Sequence, residues 1–425
     1  MSEEKKMFKD QLPNGIRVVG ECMPGFRSVS MGVFIGAGSV YEPGSSVGAA
    51  HFIEHMLFKG TKTRTASDIA EEMDAVGGNL NAFTSKECTC FYGRVLGKDV
   101  AVLAEILADL LENSLLDPDD IEREKGVVTE EILMNEDSPE DLVIDTAAAG
   151  YYEGDPLERP ILGTVESVKA FTRDGLRAYM SSHYRPGNTV IAVAGSFDRE
   201  ELMSVLAKSF TAKDAPGGEK VGFGIHTPGK RIRFIEKDIE QAHIALCLPG
   251  FKKDTVESYA MLLFSNAFGG SMSSRLFQKI REENGLAYSV YSYPTPYPSS
   301  GCFTVYAGTG ADNALTVTEM ILDEMKKVSR EGIGKDELSR AKDQLISSYL
   351  MSRESTSARA SAIGRAELFG GRHYTEEEII EKITRITMDN VFSIIPTVTN
   401  TLDMSACVVG RIKKSRRDIE KILSE

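Results

Sequence analysis

The run Gly48–Gly60, GAAHFIEHMLFKG, brings His51, Glu54 and His55 within little more than one helical turn. Histidines four residues apart share one face of a helix, so both imidazoles can reach a single ion. Glu54, three residues after His51, projects a carboxylate to nearly the same side. Two neutral imidazoles and an oxygen ligand from elsewhere in the chain would leave one zinc coordination position open for water. A neighbouring carboxylate could then take that water's proton. The residue types therefore point to metal-assisted hydrolysis. The competing account of two histidines on a mostly apolar helix is a hydrogen-bonded pair in the core.

Further acidic residues fall at helical spacing. Asp117-Pro118 reads as an N-cap followed by proline in the first turn, opening a helix that runs to Met134. Glu124 and Glu131 lie seven apart on it, two turns along one face. Asp141 and Asp145 stand at i, i+4 on a helix expected over residues 138–152. Solvated helix faces carry such acids routinely, and that is the competing reading for each. The six cysteines are scattered; only Cys88 and Cys90 are close, and their spacing is not that of a metal-binding pair. Free thiols in a reducing compartment are the simpler account.

Positioning these groups takes a folded chain of some size. With 425 residues, 42% hydrophobic and 26% charged, the sequence suits a globular protein of two ordinary domains. The net charge of −14 argues against nucleic acid or an anionic membrane as partner and leaves basic or neutral substrates open. No apolar run has the length to cross a bilayer, and the first ten residues lack the features of a signal or transit segment, so a cytoplasmic location is expected.

Residues 15–20 and 29–35 read as strands around a Pro24-Gly25 turn, and 66–76 as a helix stopped by Gly77-Gly78. Strands at 79–85 and 89–95 follow, then an amphipathic helix over 99–113. Helices at 167–179 and 200–208 flank a strand at 189–194. Residues 211–230 are rich in Gly, Pro, Lys and Asp, the composition of a linker. Beyond it the order strand–strand–helix–helix–strand–strand–helix recurs over 232–330 at an offset of 212, which sets Leu263 opposite His51. Helices at 335–351, 357–369 and 388–395, a strand at 403–409 and a tail helix complete the chain. The economical reading is a duplicated gene in which only the first copy keeps the histidines. The expected fold is α+β, two duplicated domains, each a mostly antiparallel β-sheet packed with helices. The boundaries are a domain over 1–212, a linker over 213–230, and a second domain of the same fold over 231–425.

The His-x-x-Glu-His pattern is the inverzincin signature, the reverse of His-Glu-x-x-His. Together with Gly77–Ser85 (GGNLNAFTS), Ile121-Glu-Arg-Glu124, Pro156–Gly163 (PLERPILG) and Gly269–Gln278 (GGSMSSRLFQ), it resembles the pitrilysin/insulinase clan of zinc metallopeptidases. Within that clan the chain is most similar to the mitochondrial processing peptidase β-subunit and its short bacterial relatives. The likeness covers nearly the whole sequence. It implies one Zn2+ per chain, held by His51, His55 and, 76 positions after His55, Glu131. Glu54 matches the general base acting on the metal-held water, and Glu124 a carboxylate that supports a ligand histidine. Arg281 and Tyr288 match an Arg–Tyr pair that donates hydrogen bonds to the bound peptide and oxyanion region. Asn81, Ala82 and Phe83 fall on the edge strand that pairs with substrate, and Phe58 on the pocket beyond the scissile bond. Asp141 and Asp145 fall where the processing peptidase binds a substrate arginine, although a solvated acidic face would look the same.

One chain here carries both the zinc motif and the Arg–Tyr pair, which favours a homodimer over a heterodimer, with the pair facing the partner's zinc. The resemblance therefore implies a zinc endopeptidase that hydrolyses short unfolded peptides or presequence-like segments, including ones with basic residues, inside an enclosed dimer chamber. A non-enzymatic scaffold, like the respiratory-complex core subunits that resemble this clan, would have lost part of the metal set. A metal hydrolase acting on something other than peptides would not need the peptide-pairing strand.

Overall fold

The computed structural model describes residues 6–213 and 229–424. The expected linker, apart from its ends, lies outside the described residues. Six strands form the first sheet: β1 (Lys6–Gln11), β2 (Arg17–Cys22), β3 (Ser28–Ile35), β4 (Asn79–Thr84), β5 (Thr89–Leu96) and β6 (Thr189–Gly195). Their order is β1-β2-β6-β3-β5-β4, and only the β2–β6 pair is parallel. The central strands β3 and β6 read as nearly unbroken apolar runs because both of their faces are covered. Met31, Val33, Ile191 and Val193 point into one core, shared with α1 (Ala49–Leu57), α2 (Ala66–Ala75) and α3 (Val100–Asn113). Phe34, Val190 and Ala192 alternate to the opposite face. There they meet Ile363 and Leu368 of the helix Thr356–Leu368.

The second sheet holds β7 (Arg231–Glu236), β8 (Gln241–Pro249), β9 (Ala287–Pro296), β10 (Gly301–Gly310) and β11 (Ser405–Gly410). Its order is β7-β11-β8-β10-β9, again with a single parallel pair, β7–β11. Strand for strand this repeats β2-β6-β3-β5-β4, with β1 as an addition to the first copy. The duplication read from the element order is therefore a duplication of topology. Leu263, opposite His51 in the repeat, is fully buried in the helix Val256–Phe268.

Two helices are exchanged between the copies. The first compact unit takes the described residues up to Ile132, those from Arg159 to Lys213, and Leu350–Tyr374. The second takes Leu133–Glu158, the described residues from Gly229 to Tyr349, and those from Thr375 onward. Helix α5 (Pro139–Tyr151) packs on β8 and β11 of the second sheet. The helix Thr356–Leu368 does the same for β3 and β6 of the first. The contiguous boundaries expected from sequence do not describe these two segments: an apolar helix face announces that it will be buried, but not against which sheet.

Smaller differences have local causes. The helix expected over 167–179 is two, Val165–Ala170 and Arg173–His183, because Thr172 takes an extended conformation and its side chain caps the second. Strand β1 and the helix Glu376–Thr384, capped by Thr375, have no counterpart in the sequence reading. No described helix is long and apolar enough to cross a membrane.

Candidate metal centre

Helix α1 carries the central motif, and its start is fixed by two residues. Gly48 has φ of 90°, and a Cβ there would sit 2.7 Å from the Gly163 Cα, so only glycine fits. The buried Glu42 carboxylate accepts the Gly48 and Ala50 amides at 2.7 and 2.8 Å, capping the helix where its orphan N–H groups and dipole favour negative charge. Burial pushes the Glu42 pKa up to about 7, against the pull of the two amides and the Arg159 charge. Ala49, Ala50, Phe52, Ile53, Met56 and Leu57 bury the rest of α1 in the first core.

Both histidines leave that core on one side. Their rings meet edge to face with centroids 4.6 Å apart. His51 Nε2 lies 3.7 Å from Glu131 Oε1, and His55 Nε2 lies 3.4 Å from Glu131 Oε2. Glu131 comes from α4 (Pro118–Asp137), which also brings Glu124, two turns earlier, onto the other nitrogen of His55. That contact, Nδ1 to Glu124 Oε1, is 2.8 Å, and Lys59 holds the second Glu124 oxygen at 2.7 Å.

The electrostatics suit ligation. Burial, helped by the His55 charge, lowers the His51 pKa to about 4 and keeps that ring neutral. Burial also presses on His55, but the Glu124 hydrogen bond and the surrounding carboxylates outweigh it and raise its pKa. Glu124, although desolvated, is held below the usual carboxylate range by His55 and Lys59. With Glu124 accepting the Nδ1 proton, the neutral form of His55 keeps its Nε2 lone pair for an ion.

One donor atom each from His51, His55 and Glu131 lie within 4.8 Å of one another, close enough to close on one ion. Two imidazoles and one carboxylate form a catalytic zinc donor set with a coordination position left open. The residues present therefore fit zinc. Beside them Glu54 is half-buried, and its Oε2 accepts the Thr84 hydroxyl at 2.5 Å. Burial raises the Glu54 pKa, with Glu131 adding to the rise and Thr84 and His55 opposing it.

The remaining sequence candidates are placed as follows. Phe58 packs at the margin of the first core, 6.1 Å from the Phe91 ring. Asn81, Ala82 and Phe83 lie on β4, which among the described residues pairs with β5 alone, so that its other edge is open among them. In the second unit, Arg281 donates to the Tyr288 carbonyl at 2.9 Å, and its guanidinium lies 4.8 Å from the Tyr288 and Phe277 ring centres. The Tyr288 side chain is 77% exposed. Asp141 and Asp145 are both exposed on α5.

The structure thus brings His51, Glu54, His55, Glu124 and Glu131 together in the first unit, and pairs Arg281 with Tyr288 in the second. Sequence reasoning did not single out Glu42, Lys59 or Thr84. Lys59 had a signal in sequence, since it follows His55 by four, the spacing of neighbours on a helix, although α1 itself ends at Leu57. Glu42 and Thr84 reach α1 from outside the helix and had none.

Residues 17–165 match the model of the insulinase family, peptidase family M16, and residues 170–345 match the peptidase M16 inactive domain. The uncharacterized zinc protease YmxG of Bacillus subtilis is 43% identical over 381 residues, 89% of this chain and 92% of that one. The chain belongs to peptidase family M16, the insulinase family. It is a metalloprotease.

Solved structures extend the likeness in fold. A protease from Helicobacter pylori superposes with a TM-score of 0.88 at 19% identity, covering 96% of this chain and 99% of its own. A chain of complex III2 from Candida albicans does so with a TM-score of 0.83 at 21% identity, over 98% and 100%. At such identities the likeness speaks for the fold alone.

Proposed function

We propose that this M16 metalloprotease is a zinc endopeptidase for short unfolded peptides or presequence-like segments, with His51, His55 and Glu131 holding the metal. The observation that carries this reading is the convergence of both Nε2 atoms and the Glu131 carboxylate beside a second carboxylate, Glu54. Zinc, when bound, supplies a Lewis acid that polarises a carbonyl and acidifies water. Glu54 is the general base: it accepts the proton of the attacking water and returns it to the leaving amine. Its raised pKa favours that exchange, because a base poised nearer the working pH both takes and gives a proton readily. Glu124 orients His55 and fixes its tautomer.

Around this centre the open edge of β4, with Asn81, Ala82 and Phe83, would take the peptide backbone as an added strand. Phe58 would line the pocket beyond the scissile bond. Arg281 and Tyr288 would donate to the peptide and to developing oxyanion charge, and exposed Asp141 and Asp145 would bind basic side chains. A homodimer would enclose the chamber, with the pair from one chain serving the zinc of the other.

The test is metal content together with cleavage of a quenched arginine-containing peptide, for wild type and Glu54→Gln. About one zinc per chain in both is expected, with turnover reduced by about 10²–10⁴-fold in the variant. Comparable turnover by Glu54→Gln would sink the mechanism, and a chain that binds no metal would favour the scaffold reading. For the shared chamber, Arg281→Ala mixed with Glu54→Gln should regain activity through the hybrid dimer. Mixed dimers without rescue would remove that arrangement.

A further inference from the structure

Thr84 is the last residue of β4, and its hydroxyl has one proton to give. Two acceptors are near: Glu54 Oε2 at 2.5 Å and Thr89 Oγ1 at 3.4 Å. Thr89, buried and paired with Thr84 across the strands, commits its own proton to the Ala37 carbonyl at 2.8 Å. Distance and donor count therefore direct the Thr84 proton onto Glu54. A hydroxyl donating to a carboxylate makes a short, charge-assisted bond. Such a bond fixes the rotation of the carboxylate as well as its place.

We infer that Thr84 is a positioning residue for the general base, anchoring Glu54 through Oε2 so that Oε1 is the oxygen presented to water. The inference rests on the reading of Glu54 as general base. It also explains why the anchor sits where it does. Helix α1 alone leaves the Glu54 side chain free to turn about its own bonds, and β4 supplies the external point that stops it. Because the open edge of β4 is also where a peptide backbone can add, one strand registers both the peptide and the base. Loss of the anchor then appears in the chemical step and not in peptide affinity.

The experiment compares full-length Thr84→Val, Thr84→Ser and Glu54→Gln proteins with the wild type, each with its zinc content measured. Valine keeps the β-branched shape that suits a strand end while deleting the donor. Serine keeps the donor. Thr84→Val is expected to retain zinc and a KM within about twofold while kcat falls about 10–100-fold, the scale of a small misplacement of a catalytic group. Thr84→Ser should recover most of that loss. In the metal-stripped protein, the change in Tm caused by Thr84→Val should shrink when Glu54 is already Gln, because the bond to a neutral amide oxygen is weaker.

An unchanged kcat in Thr84→Val beside an inactive Glu54→Gln overturns the positioning role and leaves the base assignment standing. Equal losses of kcat and Tm in Thr84→Val and Thr84→Ser reduce Thr84 to a packing residue, which also overturns it. Turnover by Glu54→Gln itself overturns the base assignment first, and the anchor with it.

Discussion

Glu124 grips His55 from the side opposite Glu131: its Oε1 lies 2.8 Å from Nδ1, while Nε2 faces Glu131 Oε2 at 3.4 Å. The imidazole is thus strung between two carboxylates two turns apart on α4, one buried and one half-buried. Lys59 completes the arrangement by neutralising the buried carboxylate from the far side. Replacing Glu124 by Gln removes that charge and loosens the tautomer of His55. Zinc affinity is expected to fall about 10–100-fold, measured by chelator competition, with the fold retained. An affinity equal to wild type would show that His55 is oriented by packing alone.

The two histidines are protonated at different pH, and zinc binding should show both steps. His51 is held neutral down to about pH 4, whereas the carboxylates around His55 raise its pKa above the ordinary histidine value. Metal and proton compete for the same lone pair. The zinc dissociation constant should therefore be flat above the His55 pKa. It should worsen about tenfold per pH unit below it, and more steeply again near pH 4. Chelator competition across pH 4–8 reads this directly, and a constant affinity down to pH 5 would contradict it.

Glu42 makes the start of α1 sensitive to pH by a separate route. Its folded pKa, about 7, stands above the ordinary value of 4.5 because burial outweighs the two capping amides. A raised pKa means that the folded state binds the proton more tightly. The resulting stability is fully present below pH 4.5 and is lost as pH rises through about 7. At 1.36 kcal/mol per pKa unit, the loss across that window is about 3 kcal/mol. Glu42→Gln should flatten it, read as the pH dependence of urea unfolding of the metal-free protein. His55 contributes in the same direction from its ordinary value of 6.5 upward, and Glu54 from 4.5 upward. His51, with its pKa lowered to about 4, contributes in the opposite direction between about pH 4 and 6.5, so the Glu42 share is the difference between the wild-type and Glu42→Gln curves.

The parts of this molecule that were legible in sequence are those whose geometry is local. His51, Glu54 and His55 lie within one helical turn or so of each other, and the period of the helix alone sets them on one side. That the two halves share one mostly antiparallel fold followed from the recurring pattern of elements, whereas the strand order within each sheet did not. Glu124 and Glu131 were visible as a pair on α4, but their approach to α1 came only through resemblance to the peptidase family. Glu42, whose carboxylate reaches the start of α1 from a loop, carries no periodicity that points at the helix. Thr84 looked like an ordinary strand residue because its meeting with Glu54 depends on how β4 packs beside α1. The exchange of α5 and Thr356–Leu368 was invisible for a related reason. The two sheets have the same strand order, so hydrophobic pattern alone gives either helix a place on either one.

The exchange itself predicts where the unit that holds His51, His55 and Glu131 is vulnerable. Gly364, late in the chain, sits against the first sheet so closely that a Cβ there would lie 2.4 Å from the Phe34 ring and 2.8 Å from the Ala192 side chain. Phe34 and Ala192 are both buried, and Ala192 is on a central strand with no room to withdraw. Gly364→Ala gains helix propensity of about 1 kcal/mol, which partly offsets the clash. Gly364→Val loses most of that gain and adds two methyl groups to a filled interface, so it should destabilise by about 3 kcal/mol. Because this helix belongs to the unit that holds His51, His55 and Glu131, the temperature at which bound zinc is released to a chelator should fall in step with Tm. A Gly364→Val protein with wild-type Tm would mean that Thr356–Leu368 does not pack on β3 and β6, and the exchanged architecture would have to be redrawn.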